Sequence, residues 1–385
     1  MKKIFLLILI LCLCTPSAFS VAEVAEKEIQ FIYINGSNNN DKKMKNWFFN
    51  GMKKLHPQMS AKFSESEYIK NKLLDNGNYR IAEEPEAFFW GDKSSEEIEN
   101  INTDLGITKM FSPRLAQRIR SFMAHCLHDA IWVSHYRNMH SIVDDLHKQI
   151  MNNYEKGKPV ILFGYSAGSF ITYEYMFNKF ANINVENYFN KENVSDEFKN
   201  FVKENKKQNT CIDALIDSNL AIYSAEKKLI PNTNFELAKE NFNKLDDYTC
   251  KSCMPKGAIK GIVNFASPLV LFYSDISNKD YPLTYHNKLL YKYLLENNIF
   301  WLTVNYADDP FGYPTTKNIS YVDLKDKLNM EITPNKGFLY SKSDIKSRRT
   351  VLGAHTSYWA TGKKFSKAVV QAYIEGYELY NSNDL

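Results

Sequence analysis

The serine at position 166 stands in VILFGYSAGSF (Val160–Phe170), where an apolar run stops at Gly164 and Ala167 and Gly168 close in behind the hydroxyl. The apolar run reads as a buried strand and the residues after the serine as a helix. A chain that passes at once from strand to helix must bend sharply. Glycine at 164 and 168 lets the two backbones approach, because no Cβ stands between them. The serine oxygen is then exposed at the tip of the bend. It lies at a helix N-terminus, where unpaired N–H groups and the dipole favour negative charge. That setting suits a nucleophile whose attack on a carbonyl creates an oxyanion.

A serine hydroxyl is a weak nucleophile and needs a base. Of eight histidines, six precede the bend: His56, His125, His128, His135, His140 and His147. Only His286 and His355 follow it. Two carboxylates, Asp308 and Asp309, come directly after the apolar run Ile299–Tyr306 and its alanine.

The elements that must position these groups can be read in order. Lys27–Asn40 (KEIQFIYINGSNNN) predicts a buried strand and a polar turn. Lys42–His56 has helical spacing, and Arg80–Asp92 predicts a second strand that Pro85 interrupts. Pro113–Tyr154 predicts two helices, and Ala258–Phe272 a strand ending at a Ser-Pro turn. Tyr285–Asn298 predicts a helix leading to the strand Ile299–Tyr306, and Phe365–Tyr380 a closing amphipathic helix. Asn318–Arg349 reads as irregular and Val351–Trp359 (VLGAHTSYW) as a loop. Strands separated by helices predict an α/β fold, a mostly parallel sheet with helices on both faces. Residues 178–256 change character, being rich in Asn, Lys and Glu with short helical patterns such as Cys211–Leu229. They read as a helical insertion over one main domain, residues 21–385.

A G-x-S-x-G between strand and helix resembles the nucleophile elbow of α/β-hydrolases. NG after the first strand, GYSAG, ASP, DDP and HTSYW, taken in order, are similar to lipase- and esterase-type members of that superfamily. They span nearly all of the chain beyond its first residues. The resemblance implies the order serine, acid, histidine. It makes His355 the base, since His286 precedes the strand that should carry the acid. It favours Asp309 as the acid, because DPFGYP looks like the Asp-Pro turn of lipase-like families, with Asp308 as the alternative. It makes Ala167 one oxyanion donor. YINGSNNN is similar to the His-Gly-x turn of bacterial lipases, with Asn35 where those carry histidine, and this makes Ser37 the second donor. The insertion would be a lid. The implied activity is cleavage of an ester, of lipid or acyl type, through an acyl-enzyme, with no metal and no other cofactor. The alternatives are a silent hydrolase fold used as a binding or surface protein, and a thioesterase or peptidase sharing the triad.

The bulk numbers agree with a packed enzyme-sized globule: 385 residues, 44% hydrophobic and 14% aromatic. Residues 1–20 read as an export signal, with Lys2 and Lys3, the apolar Ile4–Cys14, and small Ala18 and Ser20 before a cut. The expected destination is periplasmic or extracellular. Without the two leader lysines the formal charge falls from +4 to +2, which makes no electrostatic case for nucleic acid or an anionic membrane. The expected partner is a small-molecule or lipid ester, with transient contact with a lipid surface. Cys12 and Cys14 fall in the leader; Cys126, Cys211, Cys250 and Cys253 remain. An exported chain with an even count permits disulfides. One is expected among Cys211, Cys250 and Cys253, with Cys126 a buried thiol. His128 and His135 stand two turns apart on a helix, but without H-E-x-x-H they read as a polar edge rather than a metal site.

Overall fold

The computed structural model describes residues 27–37, 42–93, 129, 132, 136–179, 194–205, 212–223, 229–245, 254–273, 285–315, 317–328, 337–347 and 349–381. The leader, all six cysteines, His125, His128, His135 and the first part of Pro113–Tyr154 apart from residues 129 and 132 lie outside these residues.

In chain order the first half holds β1 (Lys27–Ile34), α1 (Lys42–Glu65), α2 (Glu67–Lys72), β2 (Tyr79–Ile81) and β3 (Glu86–Phe88). It continues with α3 (Tyr136–Glu155), β4 (Val160–Tyr165) and α4 (Gly168–Lys179). The region read as an insertion holds α5 (Asp196–Glu204), α6 (Ile212–Asp217), β5 (Ala221–Tyr223), β6 (Leu229–Pro231) and α7 (Phe235–Lys244). There follow β7 (Ile259–Phe265), α8 (Leu269–Tyr273), α9 (Tyr285–Asn297), β8 (Phe300–Tyr306), α10 (Tyr321–Leu328), β9 (Phe338–Ile345), α11 (Val351–Ala354) and α12 (Gly362–Asn381).

The main sheet runs β2/β3–β1–β4–β7–β8–β9, and every pairing in it is parallel. β2 and β3 occupy one edge position in succession, pairing with Lys27–Ile29 and with Ile32–Ile34 of β1. Pro85, which donates no N–H, sits in the gap between them, as the sequence suggests. All residues of β4 and β8 are buried, so both sets of alternating side chains are covered. Helices pack around the sheet. α1 buries Phe48, Met52, Leu55, Met59 and Phe63, which share one stripe at helical spacing. α1 packs on α12, and α3 packs on α4.

From β1 the chain moves to one edge with β2/β3, then returns to β4 on the other side of β1. Strand order therefore reverses between β1 and β4. Open parallel sheets form their ligand crevice at the carboxyl ends of strands around such a point.

Three expectations need correction. Asn318–Arg349 is not irregular: it carries α10 and the edge strand β9. β9 pairs on one side only, so Lys342 and Asp344 are accommodated among its residues and obscure the strand pattern. Val351–Trp359 opens with the short helix α11, whose first turn Thr350 caps through its side chain. Cys211–Leu229 does not continue as helix. α6 stops near Asn219, which takes a positive φ of 56°, and the chain enters an antiparallel pair, β5 with β6. Among the described residues no helix is long and apolar enough to cross a membrane.

Candidate active site

The bend after β4 is as tight as its glycines suggest. A Cβ on Gly168 would lie 2.7 Å from the carbonyl oxygen of Ile34 at the end of β1. One on Gly164 would lie 2.3 Å from Asn264 Oδ1 on β7. Neither space exists for a side chain, so α4 starts hard against the strand ends. Ser166 takes φ +51°, a left-handed conformation uncommon for a residue with a Cβ. Its N–H donates to Phe265 O at 2.9 Å, which pins the bend to β7. Its carbonyl accepts from Ser169 N at 2.9 Å and from Ser169 Oγ at 2.6 Å. The backbone is held from both sides while Oγ is left to face other loops.

Oγ meets His355. The distance from Ser166 Oγ to His355 Nε2 is 3.2 Å, across 189 positions of sequence. On the other side of the ring, Nδ1 lies 3.1 Å from Asp309 Oδ1 and 3.2 Å from Oδ2. An ionised carboxylate only accepts, so Nδ1 carries the proton and Nε2 presents its lone pair to the alcohol. The Asp309 side chain is fully buried, whereas the imidazole keeps 19% exposure. Phe311 N–H donates to Asp309 Oδ1 at 2.9 Å and the Tyr358 hydroxyl to Oδ2 at 2.8 Å. Asp308 turns elsewhere and accepts from Ser347 N and Ser347 Oγ, each at 2.7 Å. The two neighbouring carboxylates thus separate by geometry: Asp309 faces His355, and Asp308 ties the end of β8 to the turn after β9. His286 lies on α9, within a stretch whose side chains are outside the description.

The turn bearing His355 is anchored by aromatic packing. Trp359 lies within 6.3 Å, ring centre to ring centre, of Tyr33, Trp47, Phe48, Tyr165 and Phe265, which come from β1, α1, β4 and β7. Tyr165, the residue before the serine, donates its hydroxyl to His355 O at 3.0 Å. Phe311 sets its ring edge-on to the imidazole at 4.9 Å. His355 is therefore fixed through its backbone, its ring and the residues after it.

Between β1 and β4, the loop Asn35–Ser37 closes on the bend: a Cβ on Gly36 would stand 2.9 Å from Ser166 Cβ. Asn35 is fully buried. Its Oδ1 accepts from Trp90 N at 2.9 Å, its carbonyl accepts from Trp90 Nε1 at 2.7 Å, and its Nδ2 donates to Gly36 O at 2.8 Å. Asn35 thus holds the loop through Trp90 in the next segment of the sheet edge. Ser37 follows Gly36 in that loop. Ala167 follows Ser166, one residue before α4, where helix N–H groups have no intrahelical partner. Ser37 and Ala167, the two expected oxyanion donors, thus follow the carboxyl ends of the paired strands β1 and β4.

All of these groups lie beyond the carboxyl ends of β1, β4, β8 and β9. The set comprises an alcohol on a strained bend, an imidazole with a lone pair toward it, a buried carboxylate behind the imidazole, and a helix N-terminus beside it. It can deprotonate an alcohol and stabilise negative charge on an adjacent oxygen. Sequence reading missed Tyr358, Tyr165 and Trp90, whose contributions depend on contacts between segments far apart in the chain. Among the described residues no group of three His, Cys, Asp or Glu is placed to hold a metal ion. Comparison with protein-family models, curated proteins and solved structures finds no match to this chain.

Proposed function

We propose that the chain is a serine hydrolase with an α/β-hydrolase fold, and that it cleaves a lipid or acyl ester through an acyl-enzyme. In this reading Ser166 Oγ attacks the ester carbonyl as His355 Nε2 takes its proton. The oxyanion is received at the N–H groups of Ala167 and Ser37. Collapse breaks the carbon–oxygen bond, and His355 returns the proton to the leaving alcohol. Water, deprotonated by the same imidazole, then attacks the acyl carbon and releases the acid and the free serine. Asp309 keeps the imidazole in one tautomer and stabilises its charged form.

The observation that carries this reading is the chain of contacts Ser166–His355–Asp309, at 3.2 and 3.1 Å, built from three separate loops. The strand order around the switch point and the serine–acid–histidine order support it. Leu271 and Tyr313, 48% and 38% exposed, follow the carboxyl ends of β7 and β8, and in this reading they would offer apolar surface to an acyl chain. The reading includes the region 178–256 as a lid and the leader as an export signal, so the site would work outside the cytoplasm on small-molecule or membrane-borne esters.

A fluorophosphonate probe tests it. The full chain is expected to be labelled at Ser166 and to hydrolyse one of a graded set of p-nitrophenyl esters, phospholipids, thioesters and peptides. Ser166→Ala is expected to abolish both. Turnover that survives in Ser166→Ala would end the proposal, and a folded protein that is neither labelled nor active would favour a silent binder.

A further inference from the structure

We propose that Tyr358 is a positioning residue of this site, its hydroxyl clamping the Asp309 carboxylate in the one rotation that serves both His355 and the serine. The inference rests on the hydrolase reading above. Tyr358 stands three residues after His355, so a single turn supplies the base and the clamp for its acid.

The phenol is fully buried and stacked on Tyr306, ring centres 4.2 Å apart and planes 13° apart. Phe365 meets it edge-on at 5.2 Å. A buried phenol needs a partner, and Tyr306 N–H already supplies one by donating to the Tyr358 oxygen at 2.8 Å. That bond uses a lone pair. The phenolic hydrogen is left free to point elsewhere, and Asp309 Oδ2 lies 2.8 Å away. The backbone N–H of Tyr306 thus orients the phenol, and the phenol orients the acid. Burial, reinforced by the negative charge of Asp309, pushes the phenol well above its ordinary titration range, so it remains a donor.

The carboxylate is gripped on both oxygens. Phe311 N–H holds Oδ1 and Tyr358 holds Oδ2, and the imidazole Nδ1 sits within 0.1 Å of equidistant from the two. Remove one grip and the carboxylate can rotate about its own bond. The imidazole then loses its fixed tilt, and the lone pair on Nε2 loses its aim at Ser166. The phenol also spreads the charge of a carboxylate whose side chain is fully buried. Without it the acid and the imidazole hold a shared proton more tightly, and the alcohol finds its base occupied over a wider pH range.

Tyr358→Phe keeps the ring stack and removes only the hydroxyl. The expected result is a fall in kcat of about 10- to 100-fold with KM changed less than about threefold. The acidic limb of the kcat/KM profile is expected to move upward by about half a pH unit or more. The low-field Nδ1–H proton resonance of His355 should broaden or shift. Thr361→Val serves as the matched control. It removes a hydroxyl that meets the Tyr306 hydroxyl at 2.6 Å on the far side of the same stack and donates to Ser357 O at 2.7 Å, without touching the carboxylate. It should lose no more than about twofold in kcat with an unmoved pH profile, since neither hydrogen bond it removes reaches Asp309. If Tyr358→Phe matches Thr361→Val in kcat, in pH profile and in the imidazole resonance, Tyr358 is merely structural and the proposal falls. Wild-type protein that is neither labelled nor active defeats the hydrolase reading first. The imidazole resonance still decides whether the clamp exists.

Discussion

Ser166 and Ala266 stand at matching positions just past the ends of neighbouring strands, and both have left-handed backbone. Their preceding residues, Tyr165 and Phe265, are register partners, and the φ values are +51° and +52°. Neither is glycine. Ser166 N–H donates to Phe265 O, so the bend of one strand is braced by the bend of the other. Such a conformation costs a residue with a Cβ about 1–2 kcal/mol, and it persists only where the surroundings determine it. Here it lifts the Ser166 hydroxyl out of the strand line toward His355.

The strain at position 166 can be read out with the hydroxyl removed. Ser166→Ala keeps a Cβ in left-handed backbone, whereas Ser166→Gly does not. The glycine variant is expected to be the more stable by about 1 kcal/mol, and both should be inactive. Thermal and urea unfolding of the pair measure this. Equal stability would mean that position 166 stores no strain.

Asp308 and Asp309 should part company on substitution. Asp309→Asn keeps the size but presents an amide to Nδ1, which favours the wrong tautomer. A loss in kcat of about 10³- to 10⁴-fold is expected, with little change in melting temperature. Asp308→Asn should retain most activity. It weakens two hydrogen bonds from Ser347 and should cost about 1–2 kcal/mol of stability. The reverse pattern, with Asp308→Asn the inactive variant, would show that the acid has been misassigned.

His56 should make stability fall on mild acidification. It is 1% exposed, on α1, with Nε2 donating to Ala82 O at 2.9 Å. Burial lowers its titration below the ordinary 6.5, against the opposing pull of the backbone carbonyls of Ala82 and Glu83 and the charge of Glu84. The unfolded chain therefore binds this proton more readily than the native one. The contribution is fully present above about pH 6.5 and is lost as pH falls through that value toward the native one, by at most about 1.4 kcal/mol per pH unit. His56→Gln should flatten the decline in melting temperature between pH 7 and 5. Parallel curves for wild type and variant would remove His56 from the account.

The sequence alone carried the local half of this site. Gly164, Ser166 and Gly168 mark a bend because backbone sterics act over a few residues. The apolar runs Ile29–Ile34, Val160–Tyr165 and Phe300–Tyr306 mark parallel strands because burial on both faces leaves no alternation. The order of serine, carboxylates and His355 narrowed the partners to a few side chains. Tertiary structure alone decided which carboxylate faces the imidazole, since Asp308 and Asp309 are chemically alike and differ only in which way the turn after β8 points them. It also decided that Asn35 is held by Trp90, that Tyr358 grips Asp309, and that Lys342 and Asp344 belong to an edge strand. Each of these depends on contacts between segments far apart in the chain, where distance is set by packing and not by spacing.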